Sequence, residues 1–64
     1  MTLQLQVPNM ACAACGTTIT GAILALDPTA IVHTDPKTKS VTIATQAAEI
    51  DIRQAIALAG YSVA

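Results

Sequence analysis

The chain has 64 residues, 53% hydrophobic and only 11% charged, with a formal net charge of -1. This length predicts one domain over residues 1–64, near the lower limit for folding without staples, and the apolar content argues against disorder. Three Lys or Arg in all cannot neutralise a phosphate backbone, so nucleic acid is a poor partner, and apolar stretches such as Ala22 to Leu26 fall far short of the ~20 residues of a membrane span.

The N-terminus has neither a basic n-region nor an apolar h-region, so the expected compartment is the cytosol, where thiols stay reduced. With Trp and Phe absent and a single Tyr, the interior must be built from Leu, Ile, Val and many alanines. Helices and sheet then approach each other closely across small side chains.

Taken in chain order, Thr2 to Val7 alternates Leu3, Leu5 and Val7 against Thr2, Gln4 and Gln6, the period of a strand with one buried face. Pro8-Asn9 breaks it. From about Ala13 to Leu26, Cys15, Ile19, Ala22, Ile23 and Leu26 recur at helical spacing, and Asp27-Pro28 stops that helix. Ala30 to Thr34 and Ser40 to Thr45 are β-rich runs joined by Asp35-Pro36-Lys37-Thr38, which predicts a hairpin with Val32, Val41 and Ile43 inward and Ile31, His33 and Thr42 toward solvent. Thr34 is an imperfect inward residue.

Glu49 and Asp51 suit the first turn of a second helix, whose buried stripe is Ile52, Ala55, Ile56 and Ala59 and whose C′ residue is Gly60. Tyr61 to Ala64 is long enough for a last short strand. The order βαββαβ predicts an α+β, ferredoxin-like sandwich, two helices on one face of a four-stranded antiparallel sheet. Right-handed crossovers then put the Pro8 to Cys12 loop, the Asp35 to Thr38 turn and the Gly60-Tyr61 junction at one end, and the 27–29 and 45–48 connections at the other.

Met10-Ala11-Cys12-Ala13-Ala14-Cys15 carries the chemistry. Cys12 in the loop and Cys15 in the first helical turn let two sulfurs converge on one ion, and the helix N-terminus stabilises a thiolate. Two soft anionic sulfurs suit copper(I), whereas zinc wants four ligands and the chain offers one His and no third Cys. Met10 is expected to fill a gap in the packing rather than ligate, and His33 to be an ordinary solvated residue. Lys37 and Lys39 are expected at a solvated hairpin edge, with a docking role also open because they lie at the metal end.

The sequence resembles the heavy-metal-associated domain family, in particular its small free-standing copper chaperones. The resemblance covers nearly the whole chain and rests on M-x-C-x-x-C at Met10 to Cys15, on Thr38-Lys39-Ser40-Val41-Thr42-Ile43, and on Ala55-Ile56-Ala57-Leu58-Ala59-Gly60-Tyr61. It implies that Cys12 and Cys15 bind the metal, that Met10 packs under the loop, and that Tyr61 lies beside the site. It also implies a cytoplasmic copper(I) chaperone, not an enzyme, that delivers its ion to the soluble domain of a copper P-type ATPase. Some similar chaperones carry a histidine where this chain has Tyr61, so that extra imidazole ligand is missing here.

Other readings of the same residues remain. A copper-bridged homodimer is compatible with a solvent-facing cysteine pair. A thioredoxin-like oxidoreductase also places CxxC at a strand-to-helix junction, but the chain is too short for that fold and Ala13-Ala14 lacks the Gly-Pro often found between redox cysteines. The chain could be a metal-binding domain cut from a transporter, although Met1 directly before the first strand favours a free-standing protein. Zinc, cadmium or mercury could replace copper; relatives preferring zinc often carry an acidic residue beside the first cysteine, where this chain has Ala11.

Overall fold

The computed structural model describes residues 2–64. Leu3 and Leu5 turn inward along β1 (Thr2–Gln6), and Val7 continues the pattern just beyond it. β1 pairs antiparallel with β3 (Ser40–Ala44), Leu3 opposite Ile43 and Leu5 opposite Val41. On its other side β3 pairs antiparallel with β2 (Ile31–Asp35), Val32 opposite Ile43 and Thr34 opposite Val41. The resulting order is β1-β3-β2.

α1 (Ala13–Leu26) and α2 (Glu49–Leu58) bring Ile19, Ile23, Ile52 and Ile56 onto the sheet's inner face. These four, with Val7, Met10, Val41 and Ile43, are fully buried. Each aliphatic side chain so removed from water contributes about 1.5–3 kcal/mol, and together they set the thin core expected of a chain without Phe or Trp. Glu49 and Asp51 occupy the first turn of α2, and Glu49 also accepts from Arg53 Nε at 2.8 Å, a surface pair worth only about 0.5 kcal/mol. As expected from alternation, Ile31 and His33 are exposed.

Two expectations are corrected. Among the described residues the sheet has three strands, not four. Tyr61 to Ala64 runs near β1 without joining it as a strand, because its amides are committed elsewhere: Tyr61 N–H donates to the Ile56 carbonyl and Ser62 N–H to Asn9 Oδ1. Only Ala64 N–H reaches β1, at the Gln6 carbonyl, 2.8 Å away. Leu26, expected in the buried stripe of α1, is 43% exposed. It lines an open apolar groove between the helices with Ala22, Ala55 and Leu58, where the facing alanines are too short to close over it.

The two ends of the molecule are tied differently. At the end away from the cysteines, Asp27 caps α1 through its own N–H to the Ile23 carbonyl. Its carboxylate accepts from the Thr45 hydroxyl at 2.6 Å, from the Thr29 hydroxyl at 2.7 Å, and from the Thr29 and Gln46 amides. This binds the helix end to the connection between β3 and α2. At the other end α1 starts close against β2: a Cβ built on Gly16 would lie 3.0 Å from Thr34 Cβ and closer still to its hydroxyl.

Both ties make predictions. Hydrogen bonds from Thr45 first, then Thr29, hold the Asp27 carboxyl at about 2, below its ordinary value near 4. The carboxylate is therefore stabilising above the unfolded pKa, and that stabilisation is lost as pH falls from about 4 through 2. Denaturant titrations of wild type and Asp27→Asn will show a constant stability gap above about pH 5 that narrows across this acid window. Gly16→Ala gains about 1 kcal/mol of helix propensity but loses about 1–3 kcal/mol to the clash with Thr34. Its melting temperature falls, and the loss is smaller in a Thr34→Ala background.

Candidate metal centre

Pro8 ends the pairing of β1, and the chain then turns so that Met10 N–H donates to the Val7 carbonyl at 2.9 Å. The Met10 side chain drops into the core and is fully buried, so its thioether faces aliphatic side chains. Two residues later Cys12 is the N-cap of α1, with extended backbone at φ -152° and ψ 169°. Its carbonyl accepts from Cys15 N–H at 3.1 Å and Gly16 N–H at 3.3 Å, which starts the helix. Its side chain makes no capping bond and stays exposed. Cys15, in the first turn, is half-buried against the core.

This local geometry brings the two free thiols together, Cys12 Sγ lying 3.0 Å from Cys15 Sγ. The first turn of α1 holds no acidic residue, so the positive potential and unpaired N–H groups of the helix N-terminus act on the sulfurs undiminished. The Cys15 thiol falls from its ordinary value of 9.0 to about 6. The Tyr61 hydroxyl contributes most, then the Cys12 side chain and the Ala11 N–H, all favouring the anion against a smaller opposing effect of burial. By the same contact, with burial and the two negative sulfurs adding to it, the Tyr61 phenol is pushed above its ordinary value, while the Thr18 hydroxyl acts the other way.

Chemically, the pair is a soft, surface-facing set of sulfur atoms. Among the described residues no group of three or more His, Cys, Asp or Glu gathers, and the two sulfurs stand together as a pair of soft donor atoms. With metal–sulfur bonds of ~2.3 Å, as for zinc, sulfurs 3.0 Å apart are too close to take an ion between them in an open geometry. One must swing outward. Cys12 is the one free to do so, because Cys15 is packed against the core and Cys12 is not.

The structure brings Tyr61 to the sulfurs through the end of α2. Gly60 N–H donates to the Ala57 carbonyl and Tyr61 N–H to the Ile56 carbonyl, while Gly60 turns left-handed at φ 96°. This Schellman closure is the one the Gly60 C′ position predicts. His33 stays apart from the site, on the sheet face turned away from the helices.

Lys39 is the residue that sequence reasoning places wrongly. Instead of lying free along the hairpin edge, its Nζ donates to the Met10 carbonyl at 2.9 Å from a part-buried position, and its own carbonyl accepts from Val7 N–H at 2.8 Å. Its backbone is left-handed, φ 62°, which costs a residue with a Cβ on the order of 1 kcal/mol. Nothing in the sequence marks a lysine for that conformation, so the contact was invisible there. Gly16 did carry a signal, a glycine directly after the second cysteine and inside a helix.

Comparison with known proteins agrees with this fold. The Heavy-metal-associated domain family matches residues 4–62. No curated protein sequence matches the chain significantly. Among solved structures, the copper chaperone Atx1 from Synechocystis PCC6803, in a Cu1 trimeric form of a histidine-to-tyrosine variant, is 44% identical, with 97% of this chain and 98% of that one covered and a TM-score of 0.95. The solution structure of the cyanobacterial copper metallochaperone ScAtx1 is also 44% identical, with both chains covered completely and a TM-score of 0.83. A gold binding protein is 35% identical over 94% of this chain and 92% of its own, with a TM-score of 0.90. With nearly its whole length matched in sequence and in fold, the chain belongs to the heavy-metal-associated domain family.

Proposed function

We propose that this protein is a copper(I) chaperone which holds the ion between the thiolates of Cys12 and Cys15 and passes it to the soluble domain of a copper P-type ATPase. The observation that carries the reading is the pair of free thiols 3.0 Å apart at an exposed helix N-terminus, one of them acidified to about 6. Thiolates select soft ions, and copper(I) accepts so few ligands that two sulfurs suffice. Copper chaperones 44% identical over nearly the full length support the choice of metal. The similarity to a gold binding protein is consistent with a site that reads softness rather than one element.

In this reading the protein is a carrier and not an enzyme. Transfer is ligand exchange without change of oxidation state: a partner thiolate forms a bond to copper, the Cys12 bond then breaks, and the Cys15 bond breaks last as a second partner thiolate takes its place. The exposed Cys12 leaves first because its side chain is unconfined, and Cys15 holds the ion through the three-coordinate stage. No helix among the described residues is long and apolar enough to cross a membrane, which is consistent with a diffusible carrier. The same exposure lets a second copy supply the incoming thiolates, giving a copper-bridged homodimer; the Synechocystis relative has been seen as a trimer.

Three measurements test this. Reduced protein binds about one copper(I) per chain in competition with a chelator, and Cys12→Ser or Cys15→Ser each abolishes most of that affinity; full affinity in either variant overturns the two-sulfur site. Tyr61→Phe keeps copper bound but removes the largest influence lowering the Cys15 thiol. Thiolate forms as pH rises through the pKa, so the midpoint of Cys15 alkylation, near pH 6 in wild type, moves upward in that variant. Finally, copper moves from this protein to an apo ATPase domain even when a chelator that captures free copper(I) is present. NMR shifts then centre on residues 9–15, 35–39 and 61; interception by the chelator refutes direct exchange.

A further inference from the structure

The two cysteines are held by different means. Cys15 belongs to α1, whose first turn is set against β2 by the close approach of Gly16 to Thr34. Cys12 precedes the helix on a loop that has little hydrogen bonding of its own: Met10 N–H reaches back to Val7, and Asn9 Oδ1 accepts from Ser62 N–H. What ties this loop to the sheet is Lys39. Its carbonyl holds Val7 at the loop's start, and its ammonium holds the Met10 carbonyl two residues before Cys12.

We propose that Lys39 is a positioning residue for Cys12, clamping the metal loop to the β2–β3 hairpin so that Cys12 opens and closes by side-chain rotation while its backbone stays fixed. Two features support a role beyond packing. The lysine keeps a left-handed backbone, φ 62°, that glycine or asparagine would adopt with less strain. That same conformation is the one in which its side chain spans to Met10, 29 positions away in sequence and part-buried. An ordinary edge lysine points into water and has no such partner. With the clamp removed, the loop moves as a unit, the two sulfurs no longer share a fixed frame, and an ion bound by both is lost more readily.

The consequence for copper rests on the carrier reading, but the effect on the loop does not. The test therefore has an arm in metal-free protein. Lys39→Asn relieves the backbone and is too short to reach Met10, Lys39→Gly does the same without a side chain, and Lys39→Arg keeps both the charge and the donor. In apo protein, amide hydrogen exchange at Met10, whose N–H is bonded to the Val7 carbonyl, is expected to rise about tenfold in the Asn and Gly variants, the scale of one charge-assisted hydrogen bond, and to return toward wild type in the Arg variant. The melting temperature holds or rises, because strain is relieved. With copper(I) bound, a chelator strips the Asn and Gly variants about tenfold faster than wild type. Unchanged exchange at Met10, or faster exchange spread over the whole chain with a lower melting temperature, overturns the clamp. Failure of wild type itself to bind copper(I) overturns the carrier reading, while the apo arm still decides what Lys39 does.

Discussion

The site depends on one constraint: a short, irregular stretch between Val7 and Ala13 must be kept in register with a helix and a hairpin although it has almost no secondary structure itself. Burial of Met10 supplies the downward pull, since its side chain sits wholly in the core beneath the loop. The backbone supplies the lateral hold, Val7 and Met10 each bonding to Lys39. Cys12 stands two residues beyond the last of these attachments, and its behaviour follows from that place. It is fixed enough to meet Cys15 at 3.0 Å and free enough to leave it.

The rest of the fold serves this arrangement from a distance. A core of aliphatic side chains sets α1 and α2 on one face of the sheet, and the antiparallel register of β2 and β3 puts their turn beside the metal loop. The Asp27 cluster locks the opposite end with four hydrogen bonds to one carboxylate. The molecule thus differs along its length: a carboxylate and hydroxyl groups tie the far end together, while the end that carries the cysteines leaves its N-cap sulfur unbonded to the backbone.

Much of this was legible in the sequence, for local reasons. Pro8-Asn9 and Asp27-Pro28 are strong breaks, so α1 could be bounded at Ala13 and Leu26, as observed. The hairpin followed from Asp35-Pro36, and the Asp35 side chain does accept from Lys37 N–H at 3.0 Å within that turn. The helix-end signal at Gly60 carried Tyr61 toward the cysteines. The misses were all matters of tertiary competition. Tyr61 to Ala64 had strand-compatible residues, but a strand needs free amides, and those of Tyr61 and Ser62 are taken by Ile56 and Asn9. Leu26 had the right helical phase, but the groove it lines stays open, with small alanines beside it and Leu58 itself turned out to solvent. The reach of Lys39 to Met10 depends on a backbone conformation that composition and periodicity do not encode.

The end of α2 has one more consequence. At position 61 the backbone amide is spent on closing the helix, and the turn that aims the residue is produced by Gly60, with no help from the side chain. Aim and chemistry are thereby separated: the main chain decides where the sixty-first side chain goes, and the side chain decides only what it does there. Such a position works as an interchangeable socket. A phenol makes it a tuner of thiol acidity, an imidazole would make it a donor, and a plain ring would make it a lid, each fitted without redrawing the scaffold beneath.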